Sequence, residues 1–130
     1  MIVVDASALV EILIRKPTAK ALEVRVLDSG ETIHAPHLID IEIANVIRRL
    51  TLARVLEAGR ARIVLDDLAA LSLFRYPHRD LLPRVWTLRN NLTAYDAVYV
   101  ALAEELDASL ITRDRRLANA AGSRARVEVF

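Results

Sequence analysis

Residues 93–117 place the tightest constraint on what this chain can become. From Thr93 to Leu106 the segment is apolar around most of a helical circumference, with Ala97, Val98, Val100, Ala101, Leu102 and Leu106 spread over several faces. A surface helix shows a single apolar stripe, so a helix apolar on most sides must be covered on most sides. After a brief turn at Leu106–Ala108 comes Ser109–Thr112, too short for a helix and apolar at its centre, which predicts a buried strand. A buried helix running straight into a buried strand suits a layered α/β fold with a parallel sheet. Two acids bracket this unit: Asp96 in the first helical turn and Asp114 just past the strand. Carboxylates beside so much apolar surface cost free energy unless a helix cap or a cation compensates them.

The rest of the chain repeats the pattern. Ile2-Val3-Val4-Asp5 is a short apolar run that stops at an acid and turns into a helical stretch, Ala6–Ile14. Pro17 and Thr18 open a second helix through Leu27, and Thr32–Ala35 forms a second strand cut off by Pro36. A long helix follows from His37, with Ile39, Ile43, Val46, Ile47 and Leu50 on one face and Glu42 beside that stripe. Gly59 marks a break, and Ala61–Leu73 is a further helix. Phe74–Pro77 is a third strand, Leu81–Leu88 a short helix, Arg115–Ala121 a terminal helix and Val127–Phe130 a last strand. Strands separated by helical crossovers predict a single domain over residues 1–130: an α/β three-layer sandwich with a mostly parallel sheet of about five strands and helices on both faces.

Composition removes several classes of protein. Without cysteine there are no disulfides and no thiolate metal sites. Met1 is followed at once by a strand-like run with no basic leader, and no apolar run reaches the length of a membrane span, so a cytoplasmic protein is expected. The net charge of +1 conceals sixteen Arg against two Lys. His34, His37 and His78 show no ligand spacing and read as surface or loop residues, and Asp66-Asp67 as a solvated helix face. Ser7 lacks a nucleophile elbow, and three scattered glycines form neither a P-loop nor a dinucleotide fingerprint.

What remains is a set of acids. In open parallel sheets, ligands bind at the carboxyl ends of the strands. Asp5, Glu42, Asp96 and Asp114 all map to that rim. Each has an ordinary explanation: Asp5 and Asp114 as N-caps, Thr93 with Asp96 as a capping box, Glu42 reaching out to solvent. Together, four like charges repel unless a cation lies among them. Oxygen donors without His or Cys suit Mg²⁺, with Mn²⁺ as a substitute. Ser7, Asn45 and Thr112 are candidates to orient the carboxylates, and Arg89, Arg113, Arg115 and Arg116 are candidates for phosphate contacts. A receiver-like or phosphatase domain would want paired acids at the first strand or a late lysine, whereas Asp5 stands alone and the lysines are Lys16 and Lys20.

Val4-Asp5-Ala6-Ser7-Ala8, Glu42 with Asn45 three residues on, Asp96–Ala103, and Leu110-Ile111-Thr112-Arg113-Asp114 resemble the PIN-domain family, and more narrowly its VapC-type ribonuclease toxins. The segment from Gly59 to Asn91 carries no signature of the family. The resemblance implies a parallel sheet sandwiched by helices. It implies that Asp5, Glu42, Asp96 and Asp114 form a catalytic metal site supported by Thr112. It implies an Mg²⁺-dependent endoribonuclease that hydrolyses RNA with metal-activated water. As partners it implies a second copy in a homodimer and a small VapB-type antitoxin. The rival expectation is a non-catalytic RNA- or protein-binding module that keeps the fold and loses some of the acids.

Overall fold

A computed structural model describes residues 1–120 and 122–130. Its five strands are β1 (Ile2–Val4), β2 (Ile33–Pro36), β3 (Leu73–Tyr76), β4 (Ser109–Thr112) and β5 (Arg126–Val129). The helices are α1 (Ala6–Leu13), α2 (Lys20–Leu27), α3 (Leu38–Leu52), α4 (Ala58–Ala70), α5 (Leu82–Thr87), α6 (Ala94–Glu105) and α7 (Arg115–Ala118). All strand pairs are parallel, in the order β3-β2-β1-β4-β5. The chain therefore winds outward from β1 to β3, returns through α5 and α6 to the other side of β1, and continues to β5. Right-handed crossovers taken in opposite directions put helices on both faces. They also make the β1–β4 boundary the switch point, where a crevice opens at the strands' carboxyl ends.

The core is aliphatic, as the composition requires. All of β1 is buried, as is every residue of α6 from Ala97 to Ala103. Helix α6 rests on β1, β2 and β4, and α5 lies along it. Arg84 of α5 fixes that pairing with a bidentate bond to Glu104 (2.7 and 2.9 Å) and a bond to the Gly122 carbonyl. The turn into β4 closes with Ala108 N donating to the Ala103 carbonyl at 2.9 Å, and Asp107 takes a positive φ of 48° there.

Several expectations need correction. Gly59 is no break: α4 begins at Ala58 and runs through it. In a first turn the N–H groups have no intrahelical partner, so glycine's weakness matters less there. Pro36 belongs to β2, because β1 pairs only as far as His34 and no donor is required beyond it on that side. Strand β3 starts at Leu73, and β5 spans Arg126–Val129. The terminal helix is the single turn Arg115–Ala118, and the expected end at Ala121 lies outside the described residues. His34 is neither a surface nor a loop residue. It is buried within β2, bonded through its ring nitrogens to Thr32 and Tyr76 (2.7 and 2.8 Å) and stacked on Phe74.

Candidate active site

Asp5 leaves β1 at the switch point and caps α1, its Oδ1 accepting from Ala8 N at 2.9 Å. A cap uses one lone pair, and here two more donors converge. Ser7 Oγ donates to Oδ1 at 2.7 Å, and Thr112 Oγ1, arriving from the end of β4, donates to Oδ2 at 2.5 Å. Those hydroxyls are themselves held: Ser7 Oγ accepts from Arg113 N at 3.1 Å, and Thr112 Oγ1 accepts from Asp114 N at 2.9 Å. The adjacent ends of β1 and β4 are thus laced through one carboxylate that is only 6% exposed. Burial pushes the Asp5 carboxyl above its ordinary range, these hydrogen bonds pull it back, and the charge of Asp96 pushes it up again.

Glu42 enters from α3, one helical turn past Leu38. It is half-buried and accepts from the Tyr99 hydroxyl at 2.5 Å. Desolvation raises its carboxyl, the Tyr99 bond opposes this, and Asp96 and Asp5 add to the rise. Asp96 sits in the first turn of α6. Thr93 is the cap there, its Oγ1 accepting from Asp96 N at 3.2 Å. Asp5, Glu42 and Asp96 therefore lie within one another's fields. Burial and the Glu42 contact raise the Tyr99 hydroxyl far above its ordinary value, which keeps it a hydrogen-bond donor. Tyr99 did not figure among the residues chosen from sequence, although a tyrosine one turn after Asp96 on an aliphatic helix was a usable signal.

Asp114 caps α7 through Arg116 N at 2.9 Å and forms an ion pair with the Arg116 guanidinium at 2.5 Å. That contact lowers its carboxyl, and the same guanidinium feels Asp96. Of the remaining candidates, Asn45 is exposed, and its side chain makes no hydrogen bond to the described residues. The Arg113 side chain turns to Glu11 at 3.1 Å. Arg89 lies over the Trp86 ring, 4.8 Å from its centroid. Arg115 and Arg116 line an open hollow of about 440 Å³ with Asn91 and Asn119.

The donor set suits a hard divalent cation, since it offers carboxylates and hydroxyls only and already carries mutual repulsion. As placed, one Glu42 oxygen accepts from Tyr99 and both Asp114 oxygens face Arg116. Among the described residues no three acids or histidines stand close enough to enclose an ion. The Arg116 guanidinium engages both Asp114 oxygens, whereas the Tyr99 bond engages one oxygen of Glu42 and is compatible with an ion on the other.

A parallel α/β sandwich with carboxylates gathered at its switch point defines the class of acid-site α/β domains, and the comparisons make this particular. The family model described as PIN domain matches residues 2–123, and the chain belongs to that family. It is 46% identical over 121 residues to ribonuclease VapC1 of Mycobacterium tuberculosis, covering 92% of this chain and 90% of the relative. It is 45% identical over 119 residues to VapC ribonuclease Mb0985 of Mycobacterium bovis, again covering 92% and 90%. The fold also matches the crystal structure of VapBC2 from Rickettsia felis bound to a DNA fragment from their promoter. There the TM-score is 0.73 at 14% identity, covering 99% of this chain and 98% of that one.

Proposed function

We propose that residues 1–130 are a single nuclease domain acting as an Mg²⁺-dependent endoribonuclease, the toxin of a VapBC-type pair. Asp5, Glu42, Asp96 and Asp114 would hold the ion, with Mn²⁺ able to replace it. The observation that carries this reading is the trio Asp5, Glu42 and Asp96, three acids in one another's field at the switch-point crevice. A bound divalent ion supplies Lewis acidity, which lowers the pKa of water and neutralises charge on the phosphate. The protein's own groups position and orient. Ser7, Thr112 and Ala8 N fix the Asp5 carboxylate, and Tyr99 fixes Glu42. No protein nucleophile is needed, and among the described residues Ser7 Oγ is committed to Asp5 and the buried His34 is bonded to Thr32 and Tyr76. Water is then the attacking group, and preference for RNA over DNA comes from substrate binding.

The names of the curated relatives support the ribonuclease, and the likeness in fold to a toxin–antitoxin complex from Klebsiella pneumoniae, at a TM-score of 0.67 and 19% identity, supports the antitoxin partner. Among the described residues no helix is long and apolar enough to cross a membrane, and the proposed place of action is the cytoplasm. Exposed Ile41, Leu52 and Val55 along α3 and the loop after it leave apolar surface for a second copy and for the antitoxin. The test is cleavage of RNA by purified Asp5→Asn and Asp96→Asn proteins whose circular dichroism matches wild type. Loss of cleavage is expected in both, and a folded, fully active Asp96→Asn protein sinks the assignment. EDTA should silence the wild type, with Mg²⁺ or Mn²⁺ restoring it.

A further inference from the structure

Helix α1 is mostly apolar and buried, and its two polar residues, Ser7 and Glu11, stand one turn apart on the same face. Both meet Arg113. Ser7 Oγ accepts from Arg113 N at 3.1 Å, and Glu11 Oε2 faces Arg113 Nε at 3.1 Å. The first helix thus grips one residue twice, at its backbone and at its guanidinium. That residue stands between Thr112, which donates to Asp5, and Asp114.

The Glu11 side chain is only 14% exposed, and a carboxylate so covered costs free energy unless partners compensate it. Its Oε1 accepts from Lys16 Nζ at 3.2 Å. Its Oε2 is buried, and among the described residues no aligned hydrogen bond reaches it, so the Arg113 guanidinium compensates it through charge. That pairing commits the Arg113 cation to α1 and not to a substrate phosphate. It also secures a chain of contacts that ends at the acids. Arg113 N holds Ser7 Oγ, and Ser7 Oγ donates to Asp5 Oδ1. The same turn carries Asp114, whose N–H is held by Thr112 Oγ1.

Resting on the reading of the acids as a metal site, we propose that Glu11 is a positioning residue for that site. Through Arg113 it holds the turn between β4 and α7 against α1, and so sets how Ser7 orients Asp5 and where Asp114 stands. Glu11 itself touches neither ion nor RNA. Groups that orient metal ligands change affinity roughly 10–100-fold when removed.

Isothermal titration with Mg²⁺, without RNA, reads the site apart from activity. Glu11→Gln keeps the shape and removes the charge, and should weaken Mg²⁺ roughly tenfold while circular dichroism stays that of wild type. Arg113→Met should weaken it similarly, and adding it to Glu11→Gln should do little more, because the two residues act as a pair. Arg113→Lys restores the charge and should recover most of the affinity; it also decides the matter should the methionine variant not fold. Lys16→Gln removes the other partner of Glu11 and should leave Mg²⁺ binding as in wild type. Amide hydrogen exchange in EDTA adds a metal-free reading: in Glu11→Gln the Arg113 N–H should exchange several-fold faster while β1 and α6 keep their protection. A Glu11→Gln protein that melts lower, or loses protection uniformly, with Mg²⁺ affinity unchanged has lost only a structural ion pair, which overturns the proposal. So does an Arg113→Met protein with a raised KM for RNA and unchanged Mg²⁺ affinity, since Arg113 then serves phosphate. Wild type that neither binds Mg²⁺ nor cleaves RNA overturns the metal-site reading and the proposal with it, whereas wild type that does both beside an unaffected Glu11→Gln overturns the proposal alone.

Discussion

Thr112→Val isolates the interaction that joins β1 to β4 at the crevice. Thr112 is fully buried, donates to Asp5 Oδ2 and accepts from Asp114 N. Valine fills nearly the same space but has no hydroxyl, so the change removes both bonds and little packing. A hydrogen bond to a charged acceptor contributes about 1.5–3 kcal/mol, and a backbone N–H left without an acceptor costs about 1 kcal/mol more. The expected loss is about 3 kcal/mol. At about 2.1 cal/mol/K of unfolding entropy per residue, a chain of 130 residues should melt about 11 °C lower. The effect must also depend on pH. Thr112 is the strongest of the bonds that hold the Asp5 carboxyl down, so the variant raises that group further. A raised carboxyl is destabilising when ionised, so the penalty should be full above the pKa of Asp5 and shrink as pH falls through it. Urea unfolding of wild type, Thr112→Val and Thr112→Ser, at neutral and at acid pH, reads this. Serine keeps the hydroxyl and should lose only about 1 kcal/mol for the missing methyl. A valine variant within about 0.5 kcal/mol of wild type, or one whose deficit is the same at both pH values, refutes the account of Asp5 given above.

Other outcomes follow from the same geometry. Glu42→Gln keeps an oxygen for the Tyr99 hydroxyl and removes a repelling charge, so in EDTA it should melt above wild type. Wild type should gain about 3–6 °C at Mg²⁺ tenfold over its Kd while Glu42→Gln gains little, as scanning calorimetry would show. Arg116→Gln frees Asp114 from its ion pair and should tighten Mg²⁺ several-fold by isothermal titration; weaker binding would exclude competition between guanidinium and cation. Burial holds His34 below its ordinary 6.5, so its contribution is full above that value and lost as pH falls through the depressed one; His34→Asn should flatten the acid limb of a stability–pH profile. Arg84→Ala strands the Glu104 carboxylate, 7% exposed, on Arg124 alone, which should cost about 3 kcal/mol in chemical denaturation.

The sequence by itself determined the parallel α/β architecture and nominated the acids. Hydrophobic pattern is local information: a helix apolar on most faces, like α6, or a strand of four residues such as β4, declares its own burial. It also declares where such runs stop, and hence that Asp5 and Asp114 stand at strand ends. Element boundaries such as Gly59 and Pro36 were misread because local propensity yields to the hydrogen bonds actually needed at each position. Tertiary structure alone decided who meets whom. Asp5 is bonded to Thr112 across 107 positions of sequence and Glu42 to Tyr99 across 57, because β1 and β4 became neighbours and the start of α3 came within reach of α6 at the rim. Nothing in the sequence said that Arg113 would turn to Glu11 and Arg116 to Asp114, or that His34 would be buried against Phe74 and Tyr76. Those side chains could each have faced water, and the partner that won was set by which backbone arrived beside them.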